Sequence, residues 1–576
     1  LDVGPNSGGS ALLIPLRFFQ LSEATRDPMQ KFDEFAWDTA LGLRGNFGAG
    51  FDWELAYHRS DYKVERDNRL LLDQPTNAFF FGPQLGSLPF GTAQLPIVSV
   101  TDYSRFVRPL TPAEFRSITA LNHTEADSSN DQVSAVISGD LFKLPAGAVQ
   151  FASVFEWGTQ EYDINLDPRE VAGEFAGFLN SFPGGGSRDR YAAGVELAVP
   201  VLSSVRTTLA GRYDKYDDIT NVDDAFTYNL GLEYRPFKTL LLRGSYATSF
   251  RAPDMHFVFA GSSSTFSAPR DALRCRRDFG VTDLNQCAFI PGLTGVLATT
   301  ERQGNPGLKE ETSKSWTAGL AWNITQSLDF TVDYFDIQIE NTVNDLTDDF
   351  ITGTEADCVL GRTLSGAPVD SSSAQCQFIR GLVTRNVPVP GVPGSIDNIA
   401  QLNTLPINRA FEGVTGLDAS LNYFLDANRW GRFFFTFGWS HILKQERQEF
   451  AGDPVDSYRD DSRNRDLRSK IRSSVTWEKS GFSQTLYVDR QGSRPTYAAA
   501  FTANPTEFRT RPYSFYNYTV SYTSPADTWS VGLIVDNLLD ADPKIDGTFA
   551  GWPFFFGQNV NAYGREVFLE GKYKFK

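Results

Sequence analysis

The sequence predicts an all-β protein: a transmembrane antiparallel β-barrel with about 17 strands in this chain, long extracellular loops and short periplasmic turns. Three observations predict it. Strand-length segments alternate between apolar and polar residues. The connections between them are short and long in strict turn. No run of about 18 or more apolar residues offers a membrane-spanning helix.

The alternation is plain in several places. In FDWELAYH, Phe51, Trp53, Leu55 and Tyr57 alternate with Asp52, Glu54, Ala56 and His58. In LDFTVDY, Leu328, Phe330, Val332 and Tyr334 alternate with Asp329, Thr331 and Asp333. In DLRSKIRSSVTWE, Leu467, Ile471, Val475 and Trp477 share one parity, and Arg468, Lys470, Arg472 and Glu478 the other. The closing VFLEGKYKFK sets Val567, Leu569, Tyr573 and Phe575 against Glu570, Lys572 and Lys574. Successive side chains of a strand point to opposite faces, so each segment has one apolar and one polar face. The apolar sets are expected to face lipid and the charged sets the lumen.

A soluble sandwich would alternate as well, so the connections decide. Strand-like segments begin near Phe35, Phe51, Val133, Ala148, Arg188, Val205, Phe226, Leu240, Thr312, Leu328, Phe411, Gly431, Arg465, Phe482, Tyr513, Trp529 and Gly564. Short turns such as FGAG (47–50), KLPAG (143–147), RPFK (235–238), TQS (325–327), DANRWG (426–431), KSG (479–481) and SPADT (524–528) close one set of pairs. Long segments at 64–132, 163–187, 252–311, 343–410, 447–464, 495–512 and 539–563 close the other, with 217–225 intermediate. An up-and-down membrane barrel has this asymmetry between its rims, and every strand edge inside lipid must be paired. Greek-key crossings of a sandwich do not produce it.

Composition narrows the function classes. The 53 basic and 70 acidic residues give a net charge of −17, which argues against nucleic acid as a partner, since phosphate contacts need concentrated positive charge. No nucleophile–base constellation or phosphate-binding glycine loop stands out, so no enzyme activity and no cofactor is expected. The chain begins at Leu1 without a charged-then-apolar leader, which reads as a processed or incomplete start.

Several stretches together resemble the TonB-dependent outer-membrane receptors. They are SGDLFKLPAGAVQFASVFEW (138–157), GVELAVPVL (194–202), LAGRYDKYDDI (209–219), LLLRGSYATSFRAPDMHFVF (240–259), NPGLKEETSKSWTAGL (305–320), LDFTVDYFDIQIENTV (328–343), FEGVTGLDASLNYF (411–424), VDNLLD (535–540) and GREVFLEGKYKF (564–575). The resemblance covers about 138–576. It marks Phe250, Arg251, Pro253, Asn537, Gly564, Arg565 and Phe575 as barrel-scaffold positions rather than ligands. Pro253 cannot donate a ladder hydrogen bond and ends pairing; Arg251 shares the inward parity of Arg243.

The four cysteines fall into two local pairs, Cys275 with Cys287 and Cys358 with Cys376, each within one long loop. The compartment outside the cytosol permits disulfides, and loops of this size are worth ~3 kcal/mol when closed. No histidine spacing suits a metal site, the nearest being His256. Phe79, Phe80 and Phe81 in 64–132, and Trp552, Phe554, Phe555 and Phe556 in 539–563, are candidate substrate-binding aromatics. They either stack on a sugar ring or a siderophore's aromatic group, or pack loop on loop and against lipopolysaccharide. Asp217, Asp218, Asp223 and Asp224 are solvated loop charge or, in the sharper reading, calcium ligands.

The resemblance implies a barrel of about 22 strands with a plugged lumen. Neither a plug nor a TonB-gripped segment is legible; residues 1–34 read as an extracellular loop segment and 35–576 as the C-terminal portion of the barrel. The plug and about five N-terminal strands are therefore expected from another chain or a missing portion, with TonB acting through that plug. Outer-membrane lipid is a partner, and a surface lipoprotein a further candidate. The function implied is active import of a scarce, bulky nutrient: a siderophore, cofactor, peptide or oligosaccharide. The alternatives are a passive or surface-binding barrel without TonB coupling, and a soluble carbohydrate-binding sandwich.

Overall fold

The protein is seen here as a computed structural model. It describes residues 30–543 and 563–575, less 49, 91–92, 101, 177–180, 223, 282–283, 291–292, 294–295, 388–396, 458, 460–466, 495 and 497–508. The main sheet has 18 strands, one of them the two-residue strip Asp456–Ser457. The remaining 17 are β1 Lys31–Phe47, β2 Phe51–Leu71, β3 Thr119–Leu144, β4 Gly147–Asn165, β5 Gly184–Leu202 and β6 Val205–Asp217, then β7 Asp224–Phe237, β8 Leu240–Arg251, β9 Glu311–Thr325, β10 Leu328–Asp345, β11 Pro406–Asp426 and β12 Arg432–Gln448, and finally β13 Ser469–Lys479, β14 Phe482–Gln491, β15 Tyr513–Thr523, β16 Trp529–Asp536 and β17 Glu566–Tyr573.

Each of these strands pairs antiparallel with the next, from β1–β2 to β16–β17. The strands expected from the sequence are all present and in that order. Among the described residues neither β1 nor β17 has a partner on its other edge. Among the described residues no helix is long and apolar enough to cross a membrane.

Residues directly opposite across a ladder share a face, so the register carries one parity around the whole sheet. Tyr57 lies opposite Val133, Val133 opposite Trp157, and Trp157 opposite Tyr191. On the far side Val475, Leu486, Tyr518, Val535 and Val567 form another such row. This outer face is apolar and solvent-open: Leu569 is 88% exposed and Phe575 89%. Such a continuous apolar band is a lipid-facing surface rather than a core. Aromatic rings gather at its two margins. Tyr228, Tyr246 and Trp316 stand in a row at one, with ring centroids 5.9 and 4.3 Å apart; Phe482, Tyr522 and Trp529 do so at the other, at 4.7 and 5.5 Å.

The expected turns sit at one rim. In KLPAG, β3 ends at Leu144 and β4 starts at Gly147, whose φ of 145° is open to glycine but not to ordinary side chains. The opposite rim carries the long connections, and here the sequence-based boundaries need correction. Both ends of the expected loop 64–132 are strand: β2 runs 21 residues to Leu71, and β3 runs 26 from Thr119. Beyond the bilayer both faces of a strand meet water, so the apolar–polar alternation disappears while the ladder continues. Ion pairs across the ladder replace it, including Arg59–Asp131 at 3.0 Å and Lys63–Glu125 at 2.5 Å. Likewise β5 starts at Gly184, and β1 at Lys31 rather than Phe35.

Candidate functional site

The inner face of the sheet is a wall of paired charges. Glu156 of β4 accepts from Arg190 of β5 (2.7 Å) and Arg212 of β6 (2.5 Å), and Asp214 accepts from both. Arg243 of β8 meets Asp333 of β10 at 2.5 Å, and Arg472 of β13 meets Asp489 of β14 at 3.2 Å. Gly319 lies beside the Arg243–Asp333 pair, where a Cβ would sit 2.0 Å from the Asp333 carboxylate. Only glycine leaves room for that carboxylate. Interleaved charge of both signs makes this a water-filled lumen rather than a packed core.

Above the wall, the loops after β8 and β10 build one covered body. Strand Ala298–Arg302 of the first loop runs parallel to Ile399–Thr404 of the second, within a four-stranded sheet completed by Ser263–Ser267 and Val383–Arg385. The helices Ala272–Phe279 and Asp348–Leu360 pack on each other through Ala272, Leu273 and Ala356. Arg385 clamps the two loops: its guanidinium donates to Asp271 (2.9 and 3.0 Å) and to Glu355 (2.8 and 2.7 Å). All three side chains are at most 15% exposed. Both cysteine pairs are disulfides, Cys275–Cys287 and Cys358–Cys376, with Cα atoms 5.7 and 5.4 Å apart.

Electrostatics tightens the same body. Arg277 donates to Asp278 and Asp397 at 2.6 and 2.7 Å and holds both carboxyls below the ordinary carboxylate range. Burial pushes Asp357 up, against the opposing pull of Arg276. Among the described residues no group of three His, Cys, Asp or Glu side chains is placed to hold a metal ion.

The sequence-marked residues fall as follows. Phe80 is buried with Leu110 and Ile118, while Phe79 and Phe81 pack half-buried against that cluster; the Arg105 guanidinium lies 4.5 Å from the Phe79 ring. This trio joins the helix Asp73–Phe81 to the segment around Phe106. Trp552, Phe554, Phe555 and Phe556 lie outside the described residues. The Phe250 ring packs 5.5 Å from Tyr216, and Arg251 donates to Asp254. Pro253 is fully buried, its carbonyl accepting from Arg188 at 2.6 Å. Asn537, with φ 50°, turns the chain out of β16, its side chain exchanging two hydrogen bonds with Ala541. Gly564 has φ 74°, and the Arg565 amide donates to Asp540 at 2.8 Å. The Phe575 ring lies 5.0 Å from Tyr573. Of the four acidic residues at 217–224, Asp218 is not solvated charge: it is buried against Arg188 at 2.5 Å. Asp223 lies outside the described residues.

Sequence reasoning missed Arg188, Arg385 and the polar wall on β2, β3 and β4. The wall did leave a trace: the even positions of β3, from Thr124 to Ser138, carry hydroxyls, amides and small apolar groups but no charge.

A family model for the TonB dependent receptor-like β-barrel matches residues 4–538. In fold the chain is similar to the siderophore receptor PirA from Acinetobacter baumannii, with a TM-score of 0.55 and 14% identity over 94% of this chain and 63% of that one. It is similar also to a variant of the ferric enterobactin receptor PfeA from Pseudomonas aeruginosa, with a TM-score of 0.50 and 13% identity over 95% of this chain and 70% of that one. A second PfeA variant, in complex with enterobactin, gives 0.50 and 13% over 95% and 72%. The chain thus spans less than two thirds of the PirA length. No curated protein matches it in sequence.

Proposed function

As the chain belongs to the TonB-dependent receptor-like β-barrel family of the Gram-negative outer membrane, we propose that it forms the transmembrane wall of an energised importer for a scarce, bulky nutrient. The observation that carries this reading is the family match across 4–538 on a sheet whose outer face is apolar and whose inner face is charged. Family members are receptors for uptake and not enzymes. The lumen of so wide a barrel needs a plug, and TonB would act through it from the inner membrane.

The edges of β1 and β17, which have no partner among the described residues, support the same assembly. Unpaired N–H and C=O groups cannot be satisfied by lipid, so about five further strands and the plug would complete the wall. A surface lipoprotein would sit on the loop body. The solved neighbours are siderophore receptors, but identities of 13–14% fix the fold alone.

The test is uptake. Cells carrying the protein should gain import of a bulky nutrient that vanishes when TonB is deleted or the proton gradient collapsed. Import that survives both treatments would favour a passive barrel. Binding without import would favour a surface receptor.

A further inference from the structure

We propose that a cavity on the inner wall, at the extracellular end of β1 to β4, is a subsite for a neutral saccharide. The proposal rests on the importer reading and names its substrate class. The cavity has a volume of about 580 Å³ and is roofed by Met255, at the start of the short helix after β8.

The ladder register builds it. Tyr62 of β2 lies opposite Ser128 of β3, which lies opposite Tyr162 of β4. Two aromatic side chains thus flank a small one, standing ~10 Å apart because adjacent strands are ~4.8 Å apart. One pair further down the strands, ~7 Å away, Ser60, Asn130 and Gln160 form a second row on the same face. The result is a slot with a tyrosine on each of two sides and hydroxyls and amides on its floor. Tyr162 offers its ring rather than its hydroxyl, which is enclosed and has no partner among the described residues.

The charge of the lining selects the ligand. Among the described residues no lysine or arginine lines the cavity. Its inward carboxylate is Asp38, 2.5 Å from His58, and Glu34 approaches the Tyr62 hydroxyl. Asp61 and Glu161 also border the cavity, but the register puts their side chains on the opposite face, where Asp61 is held by Arg59 at 2.9 Å. An anionic ferric chelate would meet these carboxylates, while the cations nearest the cavity are already paired: Arg188, opposite Gln160, holds Asp218 at 2.5 Å, and Arg302, beside Tyr162, holds Asp345 at 3.1 Å. A sugar ring carries many hydroxyls that both donate and accept, matching serine, asparagine, glutamine and tyrosine, and C–H faces that pack on aromatic rings.

Calorimetric titration of the purified protein in detergent is the test, with maltoheptaose, chitohexaose and an anionic oligogalacturonate as probes. At least one of the two neutral oligomers should bind, and the uronate should not. Tyr62→Ala and Tyr162→Ala should each weaken binding tenfold or more, and Ser128→Leu, which fills the slot, should abolish it. The heat-modifiable mobility of each variant on gels checks that the barrel still folds. No affinity for either neutral oligomer, or affinity indifferent to all three substitutions, overturns the proposal. So does a cross-link from Ser128→Cys to polypeptide inside the lumen without saccharide affinity, which would give the slot to the plug. TonB-dependent uptake of a ferric chelate, untouched by Ser128→Leu, would keep the importer reading and sink this one. Saccharide binding with TonB-independent uptake would do the reverse.

Discussion

Leu569 and Glu570 are neighbours on β17 with opposite surroundings: Leu569 lies opposite Leu533 on the apolar face, Glu570 opposite Gly532 on the lumenal face. Arginine at Leu569 is expected to cost ~2–4 kcal/mol near the bilayer midplane and less toward either interface. Arginine at Glu570, beside lumenal water, should cost little. Urea unfolding of the two variants in phospholipid vesicles measures the difference, and equal costs would show that the parity is wrong. Arg188 offers a second residue-scale prediction. Its side chain is 5% exposed and that of its partner Asp218 is 0% exposed. Arg188→Met leaves a buried carboxylate without a cation, a change worth about 3–5 kcal/mol in comparable pairs. The strand β6 end and the Pro253 turn should then become accessible to protease, and adding Asp218→Asn should restore much of their protection. If Arg188→Met alone leaves proteolysis unchanged, the pair does not pin the rim.

At the scale of elements, the loops after β8 and β10 hold together by three devices of different reach. Each disulfide closes a stretch within one loop, whereas Arg385 and the parallel pairing of 299–302 with 401–404 join one loop to the other. The acid response of this body follows from Asp278 and Asp397. Both are held below their unfolded value by Arg277, so their contribution is fully present above about pH 4 and is lost as pH falls through their folded values. Asp357 works in the opposite sense: burial raises it, so its charge costs stability at neutral pH and protonation relieves that cost. Burial raises Asp348 in the same helix as well, but Arg277 and Asp397 join one loop to the other, and around that pair the loop body is expected to loosen between pH 4 and the folded values. Amide exchange in the helix Ala272–Phe279, corrected for intrinsic rate, should accelerate over that window while β9 and β10 stay protected. Exchange that stays slow throughout would mean that the disulfides suffice without the ion pairs.

At the scale of the molecule, the edges of β1 and β17 decide the assembly. In native outer membranes their amides should be as protected as those of β9; in residues 1–576 refolded alone they should exchange far faster. Equal protection in both would mean that the two edges pair with each other. The strand order and facing were legible in the sequence because the signal is local. The side-chain period of two is written within any eight residues, as in FDWELAYH, and the turn chemistry of KLPAG sits within five. Where strands leave the bilayer, as β2 does after Tyr57, that signal ends, and only the ladder with Ser129, Asp127 and Glu125 showed that the strand continues. The cysteine pairs were also legible, since each lies inside one loop. Arg385 was not: it is an ordinary arginine until folding brings Asp271 and Glu355, from two different loops, against it. The slot of Tyr62, Ser128 and Tyr162 was equally hidden. The sequence by itself determined how many strands there are, in what order, and which side of each faces lipid, because those follow from neighbours along the chain. Only the tertiary structure decided which residues of different strands share a height and which loops meet, because the stagger between strands is set by pairing across the whole sheet.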